Sequence, residues 1–414
     1  MTLYGIYPMK YYHRTIEKTL SGYLKLFPAV AICGPRQSGK STMLKHEYGN
    51  SYRYVTFDDP LVRERFAIDP KGFLYEYNNH VIFDEIQKAP DLFNYLKILI
   101  DDNRSLYGNF ILTGSSQFSM LKNITESLAG RIGLLTLLPF QYSEIPQSLQ
   151  KQQILYGSYP ENVIRKYQGV YEWYAAYIAS YIERDVRSLF NIGNLKDFQR
   201  LLSLLASQTA QELNMNRLAN DIGVTVKTIK SWISVLEASY ILFTISPYYS
   251  NLGKRIVKRP KIYFYDTGIV CYLTGIHTHD LLQKGHLAGP IFENYIIAEL
   301  KKIVFHYNKN IHLYYFRDNA GNEMDLIMED SFNKKIFLIE IKHTATPKPL
   351  MAERLQRLLT LVKSYASKQH DVSGLILYQG KDDFYVHDIQ FMNYLRFLEL
   401  FENEQHNKII MKKK

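Results

Sequence analysis

Residues 34–42 have types and spacing that could bind a nucleotide. Gly34, Gly39, Lys40 and Ser41 match the G-x-x-x-x-G-K-S pattern of a phosphate-wrapping loop. The apolar run at 29–33 predicts a buried strand before the loop, and Met43 and Leu44 predict a helix after it. Backbone N–H groups and the helix N-terminus would then face the phosphates. The predicted ATP-binding residues are Gly34, Pro35, Arg36, Gln37, Ser38, Gly39, Lys40, Ser41 and Thr42. We expect Lys40 to reach the β- and γ-phosphates and Ser41 to bind Mg²⁺.

Two carboxylates follow a second apolar run, at residues 80–85. Asp84 is expected to orient Mg²⁺, and Glu85 to polarise the water that attacks the γ-phosphate. This acid pair favours hydrolysis over nucleotide storage, because activating water is the one duty left for Glu85.

A third apolar run, at 110–116, ends in small hydroxyl residues. The carboxyl ends of parallel strands lie beside the ligand, so Thr113 or Ser115 could hydrogen-bond the γ-phosphate or the attacking water. A plain strand followed by a glycine turn is the alternative. Arg131 could supply positive charge to the transition state, within the chain or in a neighbouring subunit, or could be structural.

A second group of candidate catalytic residues lies near the C-terminus. Glu340 and Lys342 are two apart on a predicted strand, so they share one face, and Asp325 on the adjacent strand can reach that face. Asp325 and Glu340 offer hard oxygens for Mg²⁺, and Glu293 could complete the set. Lys342 could lower the pKa of a metal-bound water or stabilise charge on a phosphate. The alternative is a scaffold that binds DNA or another domain without cutting.

The predicted elements explain how these residues could be positioned. Strands and helices alternate from residue 23 to about 145, which predicts a parallel sheet with helices on both faces. Residues 55–59 and 134–138 are predicted as two further strands of that sheet. Helical periodicity dominates from 154 to 207, with one apolar stripe that includes Trp173 and Tyr177. Arg184 and Asp185 follow on the same helix. An ion pair within the helix or between domains is the ordinary interpretation, and a contact to nucleotide phosphate is the alternative.

Residues 215–266 predict two helices and two strands that resemble a winged helix. Thr225 is expected to cap the second helix, on which Lys227 and Lys230 face outward. The basic residues of the connecting hairpin fit contacts to a duplex backbone, although a purely structural module is the alternative. These residues are Lys254, Arg255, Lys258, Arg259 and Lys261.

Composition narrows the class of protein. The chain has 414 residues, of which 46% are hydrophobic and 22% charged, as in soluble globular proteins. Its net charge of +10 suits a polyanionic partner such as DNA. No apolar run approaches the ~20 residues that span a bilayer. The two cysteines argue against a disulfide framework or a zinc site, and they favour the cytoplasm.

These motifs together resemble a prokaryotic AAA-family ATPase group with a C-terminal portion catalogued as a domain of unknown function. The resemblance rests on nine segments spread over nearly the whole chain: 34–42, 82–90, 112–115, 130–131, 181–185, 258–261, 263–268, 292–294 and 340–342. It implies an AAA module, a winged-helix segment and a domain similar to PD-(D/E)XK nucleases. By that resemblance Glu293, Asp325, Glu340 and Lys342 take the nuclease roles.

The expected fold class is α/β: a P-loop AAA-type parallel sheet with a helical lid, a winged helix and a C-terminal α/β restriction-endonuclease-like domain. The predicted boundaries are 1–150 for the ATPase domain, 151–207 for the lid, 208–275 for the winged helix, 280–400 for the nuclease-like domain and 401–414 for a tail.

We predict a cytoplasmic, Mg²⁺-dependent ATPase that acts on DNA through its C-terminal domains. The alternative is a nucleotide-dependent switch with a C-terminal domain that binds DNA or protein without cutting. The sequence allows a homo-oligomer in either case. A small-molecule kinase fits poorly, because no segment predicts an acceptor pocket.

Overall fold

One five-stranded parallel sheet forms the centre of the N-terminal part. The structure is a computed structural model, and it describes residues 10–114, 124–181, 195–248, 259–317, 322–365 and 370–403. The strands are β1 Ala29–Cys33, β2 Arg53–Thr56, β3 Val81–Asp84, β4 Phe110–Thr113 and β5 Ile132–Thr136, in the spatial order β2-β3-β4-β1-β5. Strands β1, β3 and β4 are buried throughout, as expected for central strands covered on both faces.

Helices cover this sheet: α1 Ile16–Leu24, α2 Lys40–Tyr48, α3 Pro60–Ile68, α4 Pro70–Glu76 and α5 Leu92–Asp102, with shorter turns at Ile86–Lys88, Ile124–Leu128 and Tyr142–Glu144. The side chains of Asp59 and Asp69 cap α3 and α4, each of which begins with proline. Because Asp59 is a cap, the strand predicted at 55–59 ends earlier, at Thr56. The strand predicted at 134–138 likewise begins earlier, at Ile132.

A helical region follows the sheet: α6 Gln147–Gln150, α7 Gln153–Tyr156, α8 Pro160–Ile164, α9 Val170–Tyr181, α10 Leu195–Ser207, α11 Met215–Ile222, α12 Val226–Ala238, α13 Thr267–Leu273 and α14 His279–Lys284. Between α12 and α13, β6 Leu242–Ile245 pairs antiparallel with β7 Lys261–Phe264. The predicted helix pair is confirmed, since Thr225 caps α12 through the Thr228 N–H and Gly223 makes the turn at φ 86°.

The C-terminal part is a mixed sheet with helices on it. Its elements are α15 Ala288–His306, β8 Ile311–Arg317, β9 Glu323–Asp330, β10 Lys335–Lys342, α16 Leu350–Tyr365, β11 Asp371–Tyr378, β12 Phe384–Val386, β13 Ile389–Asn393 and α17 Tyr394–Glu402. The spatial order is β12-β13-β11-β10-β9-β8, with β10 parallel to β11 and antiparallel to β9. The predicted order α-β-β-β-α-β is confirmed for α15 to β11, and the sequence analysis missed β12, β13 and α17.

Candidate functional site

The loop after β1 adopts a tight conformation that only glycine permits at two places. A Cβ on Gly34 would lie 2.0 Å from the carbonyl oxygen of Leu137, and Gly39 has φ 93°. Gln37 has φ 59°, a left-handed conformation that is strained for a residue with a side chain. Such strain clusters at functional sites. The sequence folds this loop into the compact shape predicted for a phosphate cradle.

Lys40 begins α2 and is buried inside the loop. Its Nζ donates hydrogen bonds of 2.8 Å to the carbonyl oxygens of Gly34 and Pro35. Burial lowers the pKa of Lys40 to about 8, while Glu85 and Asp84 act in the opposite direction. The ammonium group is therefore held where the loop wraps, with two carboxylates close enough to influence it.

Ser41 and Asp84 meet as predicted. Ser41 Oγ lies 3.1 Å from Asp84 Oδ2, and the Tyr54 hydroxyl donates to the same carboxylate. A serine hydroxyl and a buried carboxylate at the end of β3 are hard oxygen donors, which is the ligand chemistry that Mg²⁺ prefers. The residues thus fit a magnesium ion bound together with ATP.

The remaining predicted residues of this site lie around that pair. Glu85 has φ 53°, and its carboxylate accepts a hydrogen bond from Gln87. Thr113 ends β4 beside β1, and its buried hydroxyl has no hydrogen-bond partner, like that of Ser38. Unsatisfied buried hydroxyls are rare, so these two point to a polar ligand.

The other loop residues differ in exposure. Pro35 is buried and Arg36 is partly buried, whereas Gln37 and Thr42 are exposed. Ser115, predicted to contact the phosphate or water, lies outside the described residues, as do Arg184 and Asp185.

An aromatic cleft that the sequence analysis missed adjoins the loop. It has a volume of about 540 Å³ and runs between the segment before α1, the start of α2 and the helical region. Four aromatic residues and two loop residues are among those that line it: Tyr11, Tyr12, Phe140, Trp173, Gln37 and Thr42. Such a mostly apolar cleft beside a phosphate loop suits a flat base. The aromatic pair at 11–12 was the available signal.

Arg14 is a buried residue that holds the loop from behind. Its guanidinium donates bonds of 2.7 Å to the carbonyl oxygens of Ser38 and Leu138, and it pairs with Glu144 at 3.2 Å. A buried arginine needs all of these partners, because an unpaired buried charge is strongly destabilising. Arg14 therefore fixes the loop to the chain segment that follows β5.

Arg131 is not brought to the nucleotide site of its own chain. Parallel pairing sets Ile132 beside Ala29 and Thr136 beside Cys33, so Arg131 lies at the opposite end of the sheet from the loop. It forms a bidentate pair with Asp101, at 2.7 and 2.9 Å. The length of β5, at about 3.3 Å per residue, separates Arg131 from the phosphate loop. Arg131 therefore does not act on a nucleotide bound by its own chain. Its role in a neighbouring subunit stays a prediction.

The predicted C-terminal residues do come together. Lys342 Nζ lies 2.5 Å from Glu340 Oε1, and Asp325 Oδ2 accepts a 2.8 Å bond from the backbone N–H of Ile341. Burial and the neighbouring Asp325 raise the pKa of Glu340 to about 7, despite Lys342. Strand alternation thus places these side chains on one face, as expected.

Glu293 on α15 joins this cluster, but it is engaged by the β6–β7 hairpin. The Tyr263 hydroxyl and Lys261 Nζ contact its Oε1 at 2.7 and 3.2 Å, and Lys261 also pairs with Glu323 at 2.8 Å. Burial and Asp325 raise the pKa of Glu293 to about 8. The sequence analysis placed Lys261 among basic residues that fit a duplex backbone, with a structural module as the alternative; for Lys261 the duplex contact is wrong, because the residue is buried.

The physical reason is the docking of the hairpin on the C-terminal sheet. Tyr248 donates its N–H to the Tyr315 carbonyl oxygen at 2.6 Å, next to β6, and the Tyr315 hydroxyl bonds the carbonyl oxygen of Arg259. This contact turns Lys261 inward, whereas Lys227 and Lys230 on α12 are exposed as predicted. Lys254, Arg255 and Lys258 lie outside the described residues.

A metal ion does not fit the C-terminal cluster in this arrangement. The ammonium groups of Lys261 and Lys342 lie 3.2 and 2.5 Å from Glu293 and Glu340, and no three of these carboxylates bring oxygens within 4.8 Å of one another. In the part of the chain that the structure describes, the one group of three or more possible ligands within 4.8 Å is His13, Glu17 and Glu47, near the aromatic cleft. No helix among the described residues is long and apolar enough to cross a membrane.

Comparison with known proteins divides the chain into three matched parts. Residues 26–146 match an AAA domain, residues 147–280 the domain of unknown function DUF8612, and residues 288–397 the domain of unknown function DUF4143. The N-terminal domain is therefore an AAA-family P-loop ATPase domain.

The proteins that resemble the chain include two curated relatives and one solved structure. The uncharacterized proteins Mb2031c of Mycobacterium bovis and Rv2008c of Mycobacterium tuberculosis are each 30% identical over 323 residues, covering 77% of this chain and 71% of the relative. The Walker-type ATPase PABY2304 of Pyrococcus abyssi aligns with 62% of this chain and 94% of its own, at 13% identity and a TM-score of 0.44.

Proposed function

Because the chain belongs to the family of the mycobacterial proteins Mb2031c and Rv2008c, and carries an AAA domain, we propose that it binds ATP with Mg²⁺ and hydrolyses it. The observation that carries this proposal is the convergence of Lys40, Ser41 and Asp84 at one edge of the sheet, with Glu85 next in the chain. The predicted domain boundaries and the cytoplasmic location belong to the same proposal.

Each residue has a distinct duty in this proposal. Loop 34–42 and Lys40 hold the triphosphate, and Ser41 and Asp84 hold Mg²⁺, which supplies charge neutralisation on the phosphates when bound. Glu85 accepts a proton as water attacks the γ-phosphorus and the bond to the bridging oxygen of ADP breaks. Thr113 positions that water or a γ-phosphate oxygen. The aromatic cleft holds the adenine.

Two substitutions test the nucleotide site. We expect Glu85→Gln to bind ATP with unchanged affinity and to lose turnover by about 10²–10⁴-fold, the usual contribution of a general base. We expect Lys40→Ala to lose binding, because the loop then lacks its ammonium group. Fluorescent-nucleotide titration and phosphate release separate the two effects. Normal hydrolysis by Glu85→Gln would remove Glu85 from the mechanism.

We further propose that ATP hydrolysis is coupled to DNA. The net charge of +10 and the exposed Lys227 and Lys230 on α12 support contact with a polyanion. The strand order and the Glu340–Lys342 pair support a PD-(D/E)XK nuclease-like domain. A homo-oligomer in which Arg131 reaches a neighbour's nucleotide completes this proposal.

A second candidate function is favoured by the contacts of Lys261. The C-terminal carboxylates are bonded to protein donors rather than arranged for a metal ion, so the domain would serve as a nucleotide-controlled scaffold that does not cleave. This is the switch that the sequence analysis kept as its alternative.

A further inference from the structure

We propose that Lys261 is an internal cation of the C-terminal acidic cluster, and that its ammonium group keeps a divalent metal ion out while β7 stays docked. The acidic cluster is defined here as Glu293, Glu323, Asp325 and Glu340. Lys261 comes from the β6–β7 hairpin, whereas every member of the cluster belongs to the C-terminal part. The proposal stands independently of ATP hydrolysis.

The position of the ammonium group is the first observation. The Lys261 side chain is only 4% exposed, and its Nζ lies 2.8 Å from Glu323 Oε1 and 3.2 Å from Glu293 Oε1. One ammonium between two carboxylates neutralises the charge that would otherwise attract a metal ion. A divalent ion bound by Glu293 would therefore have to displace Lys261 or lie against its positive charge.

The other members of the cluster also accept protein donors, each on one of its two carboxylate oxygens. The Tyr263 hydroxyl donates to Glu293 at 2.7 Å, and Asp325 and Glu340 accept bonds from Ile341 N–H and Lys342. Magnesium needs several unencumbered oxygens at 2.0–2.1 Å, roughly octahedral. While Lys261 lies among these carboxylates, no three of them bring oxygens within 4.8 Å of one another, so the cluster lacks the donor geometry of a metal site although its residue types suit one.

The hairpin that carries Lys261 is held firmly. The Asn294 side chain bonds both the N–H and the carbonyl oxygen of Phe264, at 2.7 and 2.8 Å, and its oxygen also accepts a 2.7 Å bond from Thr209. Asn294 is the residue after Glu293, so one turn of α15 fixes both the acid and the strand that brings its cation. In the native protein, withdrawing the Lys261 ammonium from the cluster requires β7 to leave α15, so metal binding is conditional on that movement.

The test measures Mn²⁺ binding to the full-length protein by electron paramagnetic resonance, in the absence of nucleotide. All proteins carry Asp84→Asn, so that the ATPase site does not contribute. The His13–Glu17–Glu47 group is present in every variant, so any Mn²⁺ bound there does not change the comparison. We expect Lys261→Met to gain one Mn²⁺ per chain relative to the parent, and the gain to disappear when Asp325→Asn is added.

Two controls separate charge from side-chain removal. Lys261→Arg keeps the positive charge and should gain no Mn²⁺, and Arg259→Met removes an exposed cation two residues away and should also gain none. If Lys261→Met is folded by circular dichroism and gains no Mn²⁺, the proposal is wrong. If Lys261→Met does not fold, the parent protein provides an independent test. A parent that binds an Mn²⁺ ion and loses it on Asp325→Asn would also overturn the proposal.

Discussion

At the scale of single residues, the nucleotide site depends on groups held in states they avoid in water. Lys40 is buried with its pKa lowered to about 8, Glu85 and Gln37 adopt left-handed backbone conformations, and Thr113 buries a hydroxyl without a partner. Each of these has a free-energy cost, of about 1–3 kcal/mol for a strained backbone residue. A bound triphosphate would offset them by accepting the bonds that the loop offers.

The pKa of Lys40 predicts a pH dependence of ATP binding. The ammonium form binds phosphate, and the phosphates raise the pKa of Lys40 in the complex. The affinity for ATP is therefore greatest well below pH 8. It falls as pH rises above 8, by about tenfold per pH unit. We expect the Kd for ATP to be about tenfold weaker at pH 9 than at pH 7, measured by fluorescence anisotropy.

Proton uptake provides the control for this prediction. Calorimetry at pH 8.5 in two buffers with different ionisation enthalpies should show net uptake of a proton on binding. An affinity that stays constant from pH 7 to pH 9 would mean that Lys40 is fully charged in the free protein.

At the scale of elements, the aromatic cleft is assembled from segments far apart in the chain. Tyr12 lies before α1, Phe140 follows β5 and Trp173 is on α9, while Gln37 and Thr42 belong to the loop and α2. Tyr12 and Phe140 pack edge to face at 5.9 Å. The helical region and the phosphate loop therefore line the same cleft.

A substitution in the cleft tests whether it holds the base. We expect Tyr12→Ala to weaken ATP binding by about tenfold, because an aromatic contact contributes about 0.5–1.5 kcal/mol beyond the area it buries. Binding of inorganic tripolyphosphate, which has no base, should stay the same. Tyr107→Ala removes an exposed ring outside the cleft and is the matched control.

Equal losses for ATP and tripolyphosphate would contradict this role. Tyr12 would then support the loop rather than the adenine.

At the scale of the whole molecule, α15 connects the three parts of the chain. His306 accepts the Leu138 N–H at 3.1 Å, Lys302 bonds the Phe140 carbonyl oxygen at 3.0 Å, and Asn294 bonds Phe264. Arg14 joins Leu138 to the phosphate loop through Ser38. Buried polar contacts of α15 thus reach both the segment that Arg14 joins to the phosphate loop and the strand β7, and breaking them would leave buried groups unpaired.

DNA binding tests the function of the assembled molecule. We expect duplex DNA to stimulate ATP hydrolysis, with an effect that falls steeply as salt increases. Lys227→Ala combined with Lys230→Ala should weaken binding to all sequences and reduce the salt slope by about 2, because each lysine releases about one counterion. Lys97→Ala, at an exposed position of α5, is the control. Fluorescence anisotropy and phosphate release measure the two effects.

The contrary result would favour the nucleotide-dependent switch. That result is an ATPase rate that does not change when DNA is added, together with an oligomer size, measured by light scattering, that changes when ATP binds.

Local patterns in the sequence determined the elements and the nucleotide residues. The spacing of residues 34–42 and the polar ends of two apolar strands predicted Lys40, Ser41, Asp84 and Thr113 at one sheet edge, because parallel strands end together. Alternation along β10 likewise predicted that Glu340 and Lys342 share a face. Both inferences depend only on local patterns that are a few residues long.

Contacts between distant segments were decided only by the tertiary structure. The basic neighbours of Lys261 fitted a duplex backbone as well as a structural module, and docking of the hairpin turns Lys261 towards Glu293 and Glu323. Arg131 is separated from the loop by the length of a strand, and Arg14 is buried beneath it. Burial and ion pairing are properties of packing between segments separated by tens of residues along the chain, so no local pattern specifies which partner a charge will meet.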